Sequence, residues 1–491
     1  MEWTREQRYR PYQQYSALEL LHLQAAADNS PEQLRYHIRP SSGLLNDPNG
    51  FSYFNHAWHV FYQSFPFGAT HGLKSWMHMQ STDLVHWHSR GLALTPDNEY
   101  DSHGAYSGSA KQIGDRLFLM YTGNHRDKDW NRTPFQLGAW MDQNNQVTKL
   151  KQPLFRNPDY ISEHFRDPQL LEHDGKYYAL LGAQDAKTET GHLALWASDD
   201  LQNGWHDVGL INFTPYSMGY MIECPNLVMI DGHAVLIFCP QGLEQKITHY
   251  DNIYPNTYII GDEFDFENAT LKGSSQIPVN LDEGFDVYAT QAFNAPDGTA
   301  YAISWVGLPD ISYPTDEQTW ANCLSQVKEL HIRNGQLYQQ PVAAMTNLRD
   351  PKGTKVFSNR TSIIDDHAGQ QCELNLTISA DQTGVLHLAA NEDLSASLQI
   401  QFDTNAGTLT VDRSKVGSAV AEKYGTTRSI KLPAHQDLKL QIFLDHSLAE
   451  IFVNDGKQVL TLRYFADQHH QKIAFAQPIN ATGSLYQLKN I

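Results

Sequence analysis

The stretch Gly114-Asp115-Arg116-Leu117-Phe118-Leu119-Met120-Tyr121 decides the fold class: a turn-forming pair, then a short run of aromatic and aliphatic residues. The unit recurs. Asp174-Gly175 leads into Tyr177-Tyr178-Ala179-Leu180-Leu181, and Asp231-Gly232 leads into Ala234-Val235-Leu236-Ile237-Phe238. Trp58-His59-Val60-Phe61-Tyr62 is a fourth such run. Short strands at recurring spacing with turn chemistry between them predict an all-β sandwich, barrel or propeller from about Tyr36 onward. There is no strict repeat of the WD type, so a propeller would have diverged blades.

Residues 1–33 read as a helical extension. Ser16 followed by Glu19 is a capping-box pattern, and Ala17 to Ala27 is rich in Leu and Ala. Strand patterning breaks between Ala343 and Asn359, where Pro351 and Gly353 fall. Beyond that break the alternation is cleaner. Cys372-Glu373-Leu374-Asn375-Leu376-Thr377-Ile378 and Leu398-Gln399-Ile400-Gln401-Phe402 each put their apolar residues on one face. Ala449 to Val453, the turn Asn454-Asp455-Gly456 and Gln458 to Leu462 read as a hairpin. This C-terminal part is expected to be a separate β-sandwich.

The 491 residues are 41% hydrophobic and 19% charged, with 24 Tyr, 21 Phe and 10 Trp, which supports a sizeable core and excludes a disordered chain. No apolar run is long enough for a membrane helix. Met1 to Arg8 has no apolar stretch after its charges, and the four Cys (224, 239, 323, 372) have no metal-ligand spacing. Reduced thiols and a cytoplasmic location are therefore expected. The net charge of −19 disfavours nucleic acid and anionic membranes as partners. An anionic substrate would need a local cluster of cations. No metal or organic cofactor is expected, and the sequence assigns no oligomeric state.

Three acids stand in unusual company: Asp47 in Asn46-Asp47-Pro48-Asn49-Gly50, Asp167 in Arg166-Asp167-Pro168, and Glu223 in Glu223-Cys224-Pro225. Proline fixes its own φ and keeps the preceding residue extended, which suits a carboxylate held on a rigid rim. Far apart in sequence, they can meet only through the tertiary fold. Together with the many aromatics they suggest sugar chemistry, because glycosidases place two carboxyls about the scissile bond.

With Phe61-Tyr62-Gln63, Asp83-Leu84-Val85-His86-Trp87, Ser107-Gly108-Ser109-Ala110 and Gly284-Phe285-Asp286-Val287-Tyr288-Ala289, these motifs resemble glycoside hydrolase family 32, the β-fructofuranosidases. The resemblance implies a five-bladed β-propeller over 34–345, a linker over 346–358 and a β-sandwich over 359–491. It also implies Asp47 as nucleophile, Glu223 as acid/base and Asp167 as transition-state stabiliser. Asn46, Gln63, Trp76, Tyr106, Ser107, Arg166, Tyr288 and Trp305 are then expected around the sugar. Glu223 should be protonated at rest while Asp47 is ionised, with Arg166 and Asn46 favouring the ionised partners.

Two departures stand out. Leu44-Leu45 replaces the family's usual Trp-Met, and His71-Gly72 stands where most invertases have Trp-Gly, with Lys74 close by. His71 and Lys74 for an aromatic wall resembles the branch that acts on sucrose 6-phosphate, since cations contact phosphate strongly. Hydrolysis of plain sucrose or short fructo-oligosaccharides, fructosyl transfer, and a non-catalytic sugar-binding propeller remain alternatives.

Overall fold

The four apolar runs become second strands of four successive antiparallel sheets: Ala57–Phe65, Arg116–Arg126, Lys176–Asp185 and His233–Gln241. Ala300–Val306 holds that place in a fifth sheet. The computed structural model describes residues 3–491. The first strands of the five sheets (Gly43–Phe54, Ala105–Ile113, Ile161–His173, Met221–Ile230 and Val287–Asn294) touch one another in cyclic order, so the sheets are blades of a closed five-bladed propeller. Trp320–Ala321 pairs in parallel with Gly43–Leu44 and ties the last blade to the first.

The inner strands share one irregularity. Each slips register against its neighbour: between Leu45 and Pro48, Ala105 and Gly108, Arg166 and Gln169, Glu223 and Asn226, and Tyr288 and Gln291. Asp167, Cys224 and Ala289 take φ of 64°, 50° and 49° at these points, so the residues before Pro168 and Pro225 are left-handed and not extended as their prolines predict. Such bulges re-aim side chains. In the second blade Gly108 is required, because a Cβ would fall 2.0 Å from the Met120 carbonyl oxygen.

Just past each bulge stands a buried polar residue: Asn49, Ser109, Gln169, Asn226 or Gln291. Each accepts a hydrogen bond from a backbone N–H of the next blade's inner strand. The donors are Gly108 (3.0 Å), Leu170 (2.7 Å), Leu227 (2.6 Å), Ala292 (3.2 Å) and, closing the circle, Phe51 (2.6 Å). Buried backbone donors must be satisfied, and inner strands of different blades share no ladder. The ring meets that demand around the whole axis.

The C-terminal unit is a sandwich whose two sheets share one long strand, Lys472–Leu488. The expected hairpin forms, with Val453 opposite Gln458. The segment expected as a linker is different. Arg349–Phe357 is a sandwich strand paired with Lys472–Leu488, and Pro351 and Gly353 sit in a bulge between Arg349 and Thr354. An edge strand tolerates both residues there. The capping box of Ser16 and Glu19 starts the helix Ala17–Asp28, and a second box, Thr4 with Gln7, starts a short helix, Arg5–Arg8. Among the described residues no helix is long and apolar enough to cross a membrane.

Buried charges hold sandwich to propeller. The Asp445 carboxylate accepts from the backbone N–H groups of Arg35, Tyr36 and His37, and the His37 ring bridges Asp445 (2.9 Å) and Glu450 (3.1 Å). Asp286, within one of the family motifs, accepts from Arg413, Tyr313 and the Arg463 backbone, so it anchors domains and does not touch the pocket.

Gln169→Ala, which strips both bonds to Leu227, is expected to lower unfolding free energy by about 2–3 kcal/mol in denaturant titration. A loss under about 0.5 kcal/mol would show the ring to be dispensable. Burial opposes charge on His37, but its bonds to Asp445 and Glu450 prevail and lift it from 6.5 to about 9. Its stabilisation is complete below about 6.5 and lost as pH rises through about 9. The thermal midpoint should fall across that window, and His37→Gln should flatten the fall.

Candidate active site

The five bulges bring five dipeptides to one end of the axis: Asn46-Asp47, Tyr106-Ser107, Arg166-Asp167, Glu223-Cys224 and Tyr288-Ala289. Asp47 Oδ1 accepts from Asn46 (3.0 Å), and Oδ2 accepts from Ser107 Oγ (2.6 Å) and the Cys224 thiol (3.7 Å). Asp167 Oδ2 accepts from the Cys224 backbone N–H (2.9 Å) and thiol (3.6 Å), while the Asp167 N–H donates to Thr122 Oγ1. Asp47, Asp167 and Cys224 each place a polar atom within 4.8 Å of the others. A cation could use such a set. Here burial and the charges of Asp167 and Asp47 push the thiol well above its usual range, so the trio is tied by a shared thiol proton.

Glu223 faces the same space from the fourth blade. Its Oε1 accepts from Arg166 Nε (3.0 Å) and Nη2 (2.8 Å), and its Oε2 from Tyr288 OH and Gln241 Nε2 (both 2.7 Å). The cation expected to favour an ionised partner of Glu223 therefore sits on Glu223 itself. Asp167 is the carboxyl held up: burial, offset in part by Arg166, acts with the charges of Glu223 and Asp47 to push it to about 7. Sequence reasoning assigned that upward push to Glu223 because adjacency in sequence hides that the Arg166 side chain crosses to the next blade.

Asn46, Gln63, Ser107 and Lys74 form one chain of contacts around Asp47. Asn46 donates to Gln63 (3.0 Å), Gln63 donates to Ser107, and Lys74 Nζ donates to Asn46 Oδ1. Lys74 was expected with His71 at a phosphate; it is instead buried beneath Asp47, where burial lowers its ammonium to about 7 against the pull of that carboxylate. His71 is exposed at the rim, its ring 6.2 Å from that of Trp305. Trp76 has no exposed surface; its indole donates to the Tyr106 carbonyl and packs on Phe61 and Tyr121, so it supports the floor and offers the sugar no face. Trp305 and Tyr288 meet edge to face at 6.0 Å, and Tyr106 is half-buried.

Sequence reading missed Gln241 and Thr122, which lie on second strands with no motif around them. It also missed Arg132, whose guanidinium lies 5.2 Å from the Tyr106 ring. The dense run His125-Arg126-Asp127-Lys128-Asp129-Trp130-Asn131-Arg132 was the available signal.

A closed propeller with a carboxyl cluster at one end of its axis defines a class of glycoside hydrolase. The chain belongs to glycosyl hydrolase family 32: residues 37–341 match the family's N-terminal domain and 339–489 its C-terminal domain. It is 49% identical to a sucrose-6-phosphate hydrolase of Pediococcus pentosaceus, over 95% of this chain and 92% of that one. It is 46% identical to one of Lactococcus lactis subsp. lactis over the full length of both. The solved sucrose-6-phosphate hydrolase of Lactobacillus gasseri shares 56% identity over 100% of both chains, with a TM-score of 0.97. A variant of a Bombyx mori β-fructofuranosidase, solved with sucrose, shares 29% over 96% of this chain and 98% of its own, with a TM-score of 0.83.

Lys74→Met should lower kcat by about ten- to a hundredfold on neutral and charged glycosides alike, as it removes the ammonium beneath Asn46 and Asp47. A loss confined to the charged substrate, read from parallel steady-state kinetics, would return Lys74 to the phosphate.

Proposed function

We propose that this chain hydrolyses the β-fructofuranosyl bond of sucrose 6-phosphate to fructose and glucose 6-phosphate with retention of configuration. The observation that carries the reading is the meeting of Asp47, Asp167 and Glu223 at one end of the axis, from the first, third and fourth blades. Full-length likeness to sucrose-6-phosphate hydrolases supplies the leaving group. Such a substrate arises where uptake is coupled to phosphorylation, which fits action in the cytoplasm.

In this reading Asp47 attacks the anomeric carbon, and Ser107 and Asn46 fix the angle of its carboxylate. Glu223 protonates the departing oxygen, then takes a proton from the water that frees fructose. Before substrate arrives the cluster's proton favours Asp167. Fructose hydroxyls donating to Asp167 would favour its ionised form, and its charge would then favour a proton on Glu223. Substrate binding thus moves the proton to the group that needs it. Gln241 and Tyr288 hold Glu223 in place through this exchange.

Asp47→Ala and Glu223→Gln should each cut release of fructose by about a thousandfold or more. Equal, feeble release by wild type and Asp47→Ala would mean a sugar-binding propeller. The free enzyme's kcat/KM should decline as pH rises through about 7, where the cluster and the Lys74 ammonium both lose a proton, and Lys74→Met should keep the part of the decline that belongs to the cluster. A flat profile through that region would contradict the proton assignment.

A further inference from the structure

The N-terminal extension has no part in the chemistry above, yet it is built into the pocket's rim. The Arg8 carbonyl accepts from the Leu73 N–H (2.8 Å), in the loop that carries His71. Gly72 must be glycine there, because a Cβ would fall 2.6 Å from that carbonyl oxygen. Tyr12 OH donates to the Leu73 carbonyl (2.7 Å), and Tyr15 stacks on Phe67 at 3.6 Å. Tyr9 packs edge-on against Trp130 of the second blade at 5.2 Å. The extension therefore spans the first and second blades at the mouth.

Cations gather where it lands. The Tyr9 phenol lies in the fields of Arg126, Arg8 and Arg132, and His71 lies in those of Lys74 and Arg8. Arg8 Nε and Arg126 Nε are buried with no hydrogen-bond partner. Arg132 Nε donates to Asn124 (3.0 Å), and Asn124 donates in turn to Tyr106 OH (3.1 Å), next to the Ser107 that touches Asp47. Among the described residues none of the three arginines has a carboxylate within 4.0 Å, and the acid whose field Arg132 feels, Glu163, is exposed. In a chain with 55 acidic and 36 basic residues, three unpaired guanidinium groups on one wall call for an anion.

We propose that Arg8, Arg126 and Arg132, with Tyr9 and His71, cradle the phosphate of the substrate, and that the N-terminal segment is thereby a wall of the active site. The proposal rests on the sucrose 6-phosphate reading and replaces Lys74 with arginines as the source of phosphate contacts. Guanidinium forks suit a phosphate's oxygens: Arg126 spends Nη1 on the Trp130 carbonyl (2.8 Å) and Arg132 spends Nε on Asn124, which leaves the other Nη groups, and those of Arg8, to a dianion.

The test is the ratio of kcat/KM for sucrose 6-phosphate over sucrose, measured for wild type, Arg8→Gln, Arg126→Gln and Arg132→Gln. General damage to the fold cancels in a ratio. Wild type should favour the phosphorylated sugar strongly, and each variant should lose about tenfold or more of that preference. Inhibition by glucose 6-phosphate should weaken in parallel. A strong wild-type preference that all three variants keep would overturn the cradle and leave the substrate reading standing. A wild-type ratio near one would overturn the substrate reading itself, whatever the variants do.

Discussion

Five inner strands that share no backbone ladder must still bury their amide groups around a common axis, and the polar ring of Asn49, Ser109, Gln169, Asn226 and Gln291 makes this possible. Each member satisfies an N–H on the neighbouring blade, so the circle closes only when every blade is in place. Two or three residues upstream in each strand is the functional side chain that the bulge presents. Structural support and chemical display thus alternate along one short stretch of chain. The carboxyls stand on strands that this ring ties together.

That arrangement explains what could and could not be read from the sequence. Asp-Pro and Cys-Pro mark bulges, so Asp47, Asp167 and Glu223 stand out in the sequence, whereas the supporting amides Gln169 and Asn226 lie just beyond the motifs. The second strands were legible as apolar runs behind Asp-Gly or Gly-Asp turns. Arg349–Phe357 was not, because its Pro and Gly look like a linker until the strand that pairs with it, more than a hundred residues away, is in view. Trp76 looked like a sugar wall because aromatic content carries no direction; its indole turned out to hold the Tyr106 carbonyl. Lys74 is paired with His71 by likeness to a family branch, but both lie in the loop before Ser75–Ser81, which buries Lys74 against Asn46 and leaves His71 exposed.

Charge within the pocket follows the same logic of crossing between blades. Arg166 reaches the Glu223 carboxylate, the Cys224 N–H reaches Asp167, and the Cys224 thiol reaches both aspartates. No carboxyl is governed by its own blade alone. The proton held near Asp167 is a property of the cluster, and in the proposed mechanism sugar hydroxyls donating to Asp167 would redistribute it. Outside the cluster, Arg132 reaches Tyr106 through Asn124 and forms no ion pair with Asp47.

The central claim is that these separated acids act as one centre with Asp47 as nucleophile. It is tested most directly by quenching the enzyme in acid during turnover of a fructoside with a good leaving group, then weighing its peptides. The account predicts that the peptide containing Asp47 is heavier by one fructosyl unit and that this species vanishes in Asp47→Ala. A fructosyl unit on another peptide, or inverted fructose with no labelled peptide, would contradict it.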